Sequence, residues 1–405
     1  MIKVGLDIGN SKISCVVSEK KNNIIKILSF ISLPTNNIKK SFIADIDKVK
    51  NEVSEVLIRS AKDSQTEILS INLNVPAVDS ISLYSSSNIK LSNEKISELH
   101  IKKAINQSDF LDVVENYKII HKSISNYELD NNSLVIDPKG MFSNYLKVNF
   151  YRFAIQENLF KTLKTIFSNL NIHVENLIPT PLSSALITLT PDDKMLGAIC
   201  IDLGAYSTSV SVFNNDKLIF TDSIKVGGQN ITKDLARKFS TSLESAERLK
   251  TLYGSVITSP SDEHEIIEIP LVGSINNQLK QINRSNVNAI IKPRVEETLE
   301  LIWQKLKNYN IHKLKIKNVV LTGGGSLLEG IEEYAQMIFD SNVRQGTPIK
   351  FKGLEEKFCK PQFSQTLGTI FYDPEEYEIN FLRNREKIKK NTVFSRFSDW
   401  LDQYI

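Results

Sequence analysis

The sequence predicts an α/β fold of two similar lobes that enclose one binding cleft, and three short segments carry that expectation. Val4-Gly5-Leu6-Asp7-Ile8-Gly9-Asn10-Ser11-Lys12 and Ile199-Cys200-Ile201-Asp202-Leu203-Gly204-Ala205-Tyr206-Ser207-Thr208 share a plan: an apolar strand, Asp-x-Gly, a small polar turn, then an alternating strand. The second strands carry Ile13, Cys15 and Val17 in one case and Val210 and Val212 in the other. The third segment, Lys317 to Ile331, reads as a buried strand, the glycine run Gly323-Gly324-Gly325-Ser326, and a helix start.

The residue types of these turns suit a nucleotide. A strand ending in Asp-x-Gly puts a carboxylate at its tip, fit to hold a hydrated Mg²⁺, and glycine lets the next backbone amides crowd around a phosphate. Asp7 and Asp202 are therefore the expected water-mediated metal contacts, and Gly9, Asn10, Ser11 and Lys12 the first phosphate turn. Gly204, Ser207 and Thr208 form the second. Neither GK[ST] nor G-x-G-x-x-G occurs in these turns, which disfavours the P-loop and the dinucleotide fold.

Along the chain, residues 1–33 alternate as a hairpin or meander, and 45–62 form an amphipathic helix with Ile46, Val49, Val53, Val56 and Leu57 on one stripe. A short strand over 68–75 precedes Pro76. From about Val78 to Phe150 the character changes to a Ser/Asn-rich strand, a helix starting near Ser92, and short strands around 118–124 and 146–150. Residues 157–190 give a helix, a Pro179-Thr180-Pro181 turn and a second helix. Residues 229–315 are mostly helical, looser at 255–285, and the core resumes at Asn318 and ends near Asp373. Within the helical part, Glu247 and Lys250 lie three apart on one face, so a carboxylate and an ammonium reach a ribose from the same side; Glu244 shares that face.

With Val226-Gly227-Gly228 and Ala246-Glu247-Arg248-Leu249-Lys250 added, the set resembles the actin, Hsp70 and sugar-kinase superfamily. That resemblance implies two ribonuclease-H-like domains clamping ATP between two phosphate loops, with Gly227 and Gly228 at the site and Gly323 to Ser326 against the adenosine. Within the superfamily the chain is most similar to the FtsA family of bacterial cell-division proteins. The carriers are Gly5 to Lys12, Val226 to Thr232, Ser245 to Gly254, Ile290 to Glu297 and the last residues, in order from end to end. The resemblance divides the chain into a first core domain (1–77 and 151–195) with an inserted α+β subdomain (78–150), a second core domain (196–228 and 316–373) with a helical subdomain (229–315), a linker (374–391) and a membrane-targeting helix (392–405). It implies a scaffold that tethers the tubulin-like division protein FtsZ, through its C-terminal tail, to the cytoplasmic face of the inner membrane. Self-association into polymers and later division proteins as partners follow from the same resemblance. The competing class is an enzyme or chaperone of the same fold, a sugar kinase or Hsp70-like ATPase, or a pilus-assembly actin homologue.

The second turn departs from the superfamily pattern, because Ala205 and Tyr206 stand where glycines are usual. If those positions need φ > 0 the turn is strained, and ATP binding is then expected to outlast efficient hydrolysis.

The segment after Pro374 turns polar, then basic through Arg383, Arg385, Lys387, Lys389 and Lys390 against Glu386. Phe394, Phe397, Trp400, Leu401 and Tyr404, with Val393 and Ile405, then fall on one helical stripe that Thr392 can cap. A helix of about 13 residues is about 20 Å long, too short to span a bilayer and suited to lie in its anionic surface.

Composition agrees with a cytosolic protein of two domains. The chain has 405 residues, 41% of them hydrophobic, and a formal charge of 50 − 47 = +3 with both signs scattered, so nothing calls for nucleic acid. Cys15, Cys200 and Cys359 lie far apart and read as reduced thiols, and the five histidines lack metal spacing. Met1 leads straight into a strand, without a charged leader and apolar core.

Overall fold

A computed structural model of the chain describes residues 1–374, apart from 23, 36, 37, 40, 41, 44, 109–113, 131, 132 and 273–278. The linker from residue 375 on and the amphipathic tail with Phe394, Phe397, Trp400, Leu401 and Tyr404 lie outside the described residues.

The first lobe opens with β1 (Ile2–Ile8), β2 (Lys12–Lys21) and β3 (Ile24–Pro34), an antiparallel meander in which Ile8 pairs with Ile13. A small strand pair, β4 (Ile38–Lys39) and β5 (Phe42–Ile43), leads to α1 (Ile46–Ser64). Asp45 caps α1 by accepting from the Lys48 amide, and Gln65 ends it in a left-handed conformation (φ 51°). Its stripe of Val49, Val53, Val56 and Leu57 is buried, worth about 1.5–3 kcal/mol per side chain, while Ile46 at the first turn stays exposed. Then β6 (Ser70–Val75) lies parallel to β1.

An inserted unit follows: β7 (Ile81–Lys95), α2 (Glu98–Ser108), β8 (Tyr117–Leu129), β9 (Ser133–Val135) and β10 (Phe142–Gln156), with strand order β7-β10-β8-β9. The helix expected near Ser92 starts instead at Glu98. The cause is strand pairing: Glu94 and Lys95 stay extended opposite Ser143 and Phe142, and Asn93 absorbs the register shift there with φ 57°. Cross-strand partners override the local helix propensity of that stretch.

The chain returns through α3 (Glu157–Asn169) to β11 (His173–Pro179), which completes a sheet of order β3-β2-β1-β6-β11. Two helices, α4 (Thr180–Thr188) and α5 (Pro191–Leu196), lead into the second lobe. There β12 (Ala198–Leu203), β13 (Thr208–Asn214) and β14 (Lys217–Ile224) form a second meander. After it come α6 (Gly228–Phe239), α7 (Leu243–Tyr253), a hairpin of β15 (Ile266–Pro270) and β16 (Leu279–Asn283), and α8 (Arg284–Asn308). The lobe closes with β17 (Asn318–Thr322), α9 (Ile331–Phe339) and β18 (Asn342–Gln345), giving the order β14-β13-β12-β17-β18. That is the plan of the first sheet again, three antiparallel strands then two parallel ones. Last, α10 (Ser364–Gly368) packs against α4 between the lobes. The main core joins Leu6, Val53 and Ile178 of the first lobe to Cys200, Phe213 and Val320 of the second, so the two lobes share one apolar interior.

Candidate nucleotide site

Both phosphate-type turns open into one cleft of about 630 Å³ between the lobes. Their geometry is the same. Gly9 donates its amide to the Lys12 carbonyl at 3.0 Å, and Gly204 donates to the Ser207 carbonyl at 3.0 Å. Asn10 therefore corresponds to Ala205, and Ser11 to Tyr206. None of these four takes a positive φ, so the expected strain at Ala205 and Tyr206 is absent: this turn is built from ordinary L-residue conformations in both lobes. The Tyr206 ring lies 5.5 Å from Lys233 Nζ on α6 and is not among the cleft-lining residues.

The two carboxylates are buried at the cleft floor. Asp7 accepts from Asn74 Nδ2 at 3.2 Å, and burial pushes its pKa up to about 6 against the pull of Asn74 and Lys12. Asp202 Oδ2 accepts from the Ser184 hydroxyl and from Gln365 Nε2 at 3.0 Å, while burial raises its pKa too. Its Oδ1 is buried with no hydrogen-bond partner, a costly state that a cation or its water relieves. Lys12 donates to the Gln362 carbonyl at 2.6 Å and stands 4.2 Å from the Phe363 ring centre; burial lowers its pKa, opposed by Asp7 and Asp202. Among the described residues no group of three His, Cys, Asp or Glu side chains forms a metal cage. Two carboxylates in an open cleft match a hydrated divalent ion instead.

At the second turn the start of α6 docks on the loop. The Gly228 and Gln229 amides donate to the Gly204 and Ala205 carbonyls at 3.0 and 2.7 Å, so these helix-start donors are already used. A Cβ on Gly227 would sit 2.6 Å from the Gly204 oxygen, which is why a glycine stands there. The Thr208 hydroxyl donates to the Val226 carbonyl at 2.9 Å, leaving Ser207 as the hydroxyl at this turn without such a backbone tie.

Glu247 and Lys250 both line the cleft and pair with each other at 2.7 Å. Lys250 also donates to the Gly228 carbonyl at 3.2 Å and to Thr232 Oγ1 at 3.0 Å, and Thr232 donates to Glu247 at 2.5 Å. The pair is thus a knot tying α7 to α6, with one edge on the cleft.

The third turn presents Gly323, Gly324 and Gly325 to the cleft, and Ser326 turns away, donating to the Gly323 carbonyl at 2.8 Å. Gly323 has φ +81°, and a Cβ there would lie 2.7 Å from the Leu203 carbonyl oxygen and against Asp202 Oδ1. Gly324 has room, its nearest neighbour being Gln362 Cβ at 3.8 Å. Sequence reasoning missed Asn74, Ser184, Gln362 and Gln365, which set the carboxylates and Lys12; a polar Asn74 amid the buried strand β6 was the available signal.

Comparison with known proteins agrees with this architecture. Residues 199–368 match the family described as cell division protein FtsA, and residues 79–152 match the SHS2 domain inserted in FtsA. Cell division protein FtsA of Agrobacterium fabrum is 30% identical over 379 residues, 91% of this chain and 86% of that one. Among solved structures, the PilM–PilN type IV pilus biogenesis complex superposes with a TM-score of 0.62 at 16% identity, over 91% of this chain and 97% of that one. MreB5 of Spiroplasma citri bound to ADP gives 0.58 at 12%, over 95% and 98%. These two likenesses establish the actin-like fold. With the inserted unit in place and the match to curated relatives running over most of the sequence, the chain belongs to the FtsA family of actin-like cell-division proteins.

Proposed function

We propose that the chain binds ATP with Mg²⁺ in this cleft and acts as a nucleotide-dependent tether. In this role it links FtsZ, through its C-terminal tail, to the cytoplasmic face of the inner membrane at the division septum. The observation that carries the nucleotide reading is the pair of equivalent turns, each set beside a buried carboxylate. Gly9 to Lys12, Gly204 and Ser207 would hold the phosphates, Glu247 and Lys250 the ribose, and Gly323 to Gly325 the adenosine. Mg²⁺, held through water by Asp7 and Asp202, would supply charge neutralisation for the phosphates. On the same reading the chain self-associates into polymers, its insert over 78–150 contacts neighbouring subunits, and later division proteins gather on the polymer. Among the described residues no helix is long and apolar enough to cross a membrane, so the tail over 392–405, lying on an anionic surface, is the proposed anchor. Co-sedimentation with liposomes carrying FtsZ tails tests the tether: FtsZ tails must pull down this chain, and a protein indifferent to them refutes it.

Turnover is expected to be slow, for a reason that replaces loop strain. The cleft's described carboxylates are Asp7 and Asp202, assigned to the cation, Glu247, tied to Lys250, and Glu329, tied to Arg284 at 2.5 Å. None of the four is left free to act as a base on an attacking water. Tyr206→Gly should therefore leave ATP affinity and turnover within about twofold of wild type, each tenfold change being about 1.4 kcal/mol. A large rise in phosphate release by this variant would restore the loop as the obstacle.

The buried carboxylates also predict a pH dependence. Asp7 has a folded-state pKa of about 6, above its ordinary 3.8, so the folded protein holds that proton more tightly than the unfolded chain does. Its ionisation costs stability above about pH 6, and this cost vanishes as pH falls towards 3.8. Because Mg²⁺ needs the ionised carboxylate, Mg²⁺-dependent ATP affinity should fall as pH drops through about 6. Calorimetric titration above and below that pH checks this, and a flat affinity profile contradicts it.

A further inference from the structure

A second groove, about 620 Å³, lies between the inserted unit and the second lobe. It takes Tyr84, Leu134 and Ile136 from the insert and Tyr309 and Leu314 from the region after α8, all strongly exposed for side chains of their size. Leu134 is 66% and Ile136 60% accessible, so the groove offers large apolar side chains to an incoming apolar segment. The groove stays open because β9 covers β8 only at Tyr127–Leu129. Its described lining holds two cations, Lys147 (paired with Glu128 at 2.8 Å) and Lys217, and no carboxylate.

We infer that this groove is the resting berth of the chain's own last segment, residues 393–405, so that the segment that binds a membrane is latched when no membrane is near. Three observations select this occupant. Its stripe of Phe394, Phe397, Trp400 and Leu401 offers apolar side chains to the walls made by Tyr84, Leu134, Ile136, Tyr309 and Leu314. The described chain ends just past Tyr372, whose ring lies 6.3 Å from that of His121 on β8, the strand that also supplies Ile124 to Tyr127 to the groove. A coil as long as residues 375–391 spans about 20 Å, which keeps the segment within reach at an effective concentration around millimolar. Groove and membrane then compete for one apolar stripe, and weakening the first must favour the second by the same factor. The membrane half of this competition rests on the tether reading; the groove half does not.

The test uses the full chain with Trp303→Phe, which leaves Trp400 as the sole tryptophan. Without lipid, Trp400 emission should be blue-shifted and shielded from iodide. Leu134→Asp and, separately, Ile136→Asp should both expose it several-fold to the quencher while leaving the thermal melt unchanged. On limiting phosphatidylglycerol vesicles, Leu134→Asp should bind several-fold more than its parent. Equal quenching in parent and variants overturns the latch, as does shielding that grows with protein concentration, which would place the segment on a neighbouring copy. Failure of Leu134→Asp to bind vesicles at all would instead strike the tether, because the lipid-free readings decide the latch alone.

Discussion

Gly323→Ala is expected to lower ATP affinity on the order of a hundredfold or more, whereas Gly324→Ala is expected to change it by less than about threefold. The two glycines are adjacent in sequence and differ in what surrounds them. Gly323 holds φ +81° and ψ 170°, a region essentially reserved for glycine where an L-residue costs on the order of 1–3 kcal/mol, and a Cβ there meets the Leu203 carbonyl oxygen at 2.7 Å and Asp202 Oδ1. Neither obstacle can swing away, since one is strand backbone and the other is the carboxylate assigned to Mg²⁺. The third turn and Asp202 must therefore shift together, and the melting temperature should fall with the affinity. Gly324 offers a Cβ open space beside Gln362, so alanine fits. Gly324→Asp sets a longer, charged side chain where the backbone of the third turn would approach the adenosine, and it should abolish binding while the melt holds. Calorimetry and melts on the three variants check this; equal affinity in Gly323→Ala and wild type would remove the third turn from the site.

The repeated Asp-x-Gly plan was legible because it is local: one strand, one turn and one strand fix both the hairpin register and the place of the carboxylate. The amphipathic stripe of α1 was legible for the same reason, through its period. What the sequence hid depended on partners distant in the chain. The helix start near Ser92 failed because β10, some fifty residues on, pairs with Glu94 and Lys95 and holds them extended. Glycine at the positions of Ala205 and Tyr206 looked necessary from the family pattern, yet Asn10 and Ser11 occupy the same places in the first turn without positive φ. Thr208 lines the cleft, yet its hydroxyl donates to the Val226 carbonyl, a tie that the sequence did not show. Gln362 and Gln365 were silent because they lie 350 residues from Lys12 and 163 from Asp202 in the chain, and meet them only once α10 packs between the lobes.

Trp400→Glu is expected to release the protein from anionic liposomes almost completely while leaving ATP binding within about twofold of wild type. On the tether reading, a 14-residue segment is too short for a helix alone in water, so membrane binding must draw on burial of Phe397, Trp400 and Leu401. A carboxylate at the centre of that stripe cancels the burial of the largest ring and repels an anionic surface. The basic run from Arg383 to Lys390 is unchanged in this variant, and it contributes on the order of 1 kcal/mol per net charge, a pull that salt screens. Raising salt should accordingly weaken wild-type binding only in part, because the apolar share is not screened, and should remove the residue of binding left in Trp400→Glu. A chain ending at Lys390 keeps the basic run and loses the stripe, so it should behave like Trp400→Glu rather than like wild type. Sedimentation of the three proteins with and without added salt reads the two contributions separately. If all three pellet alike, the stripe is not what meets the membrane, and the anchor must be sought on the folded lobes.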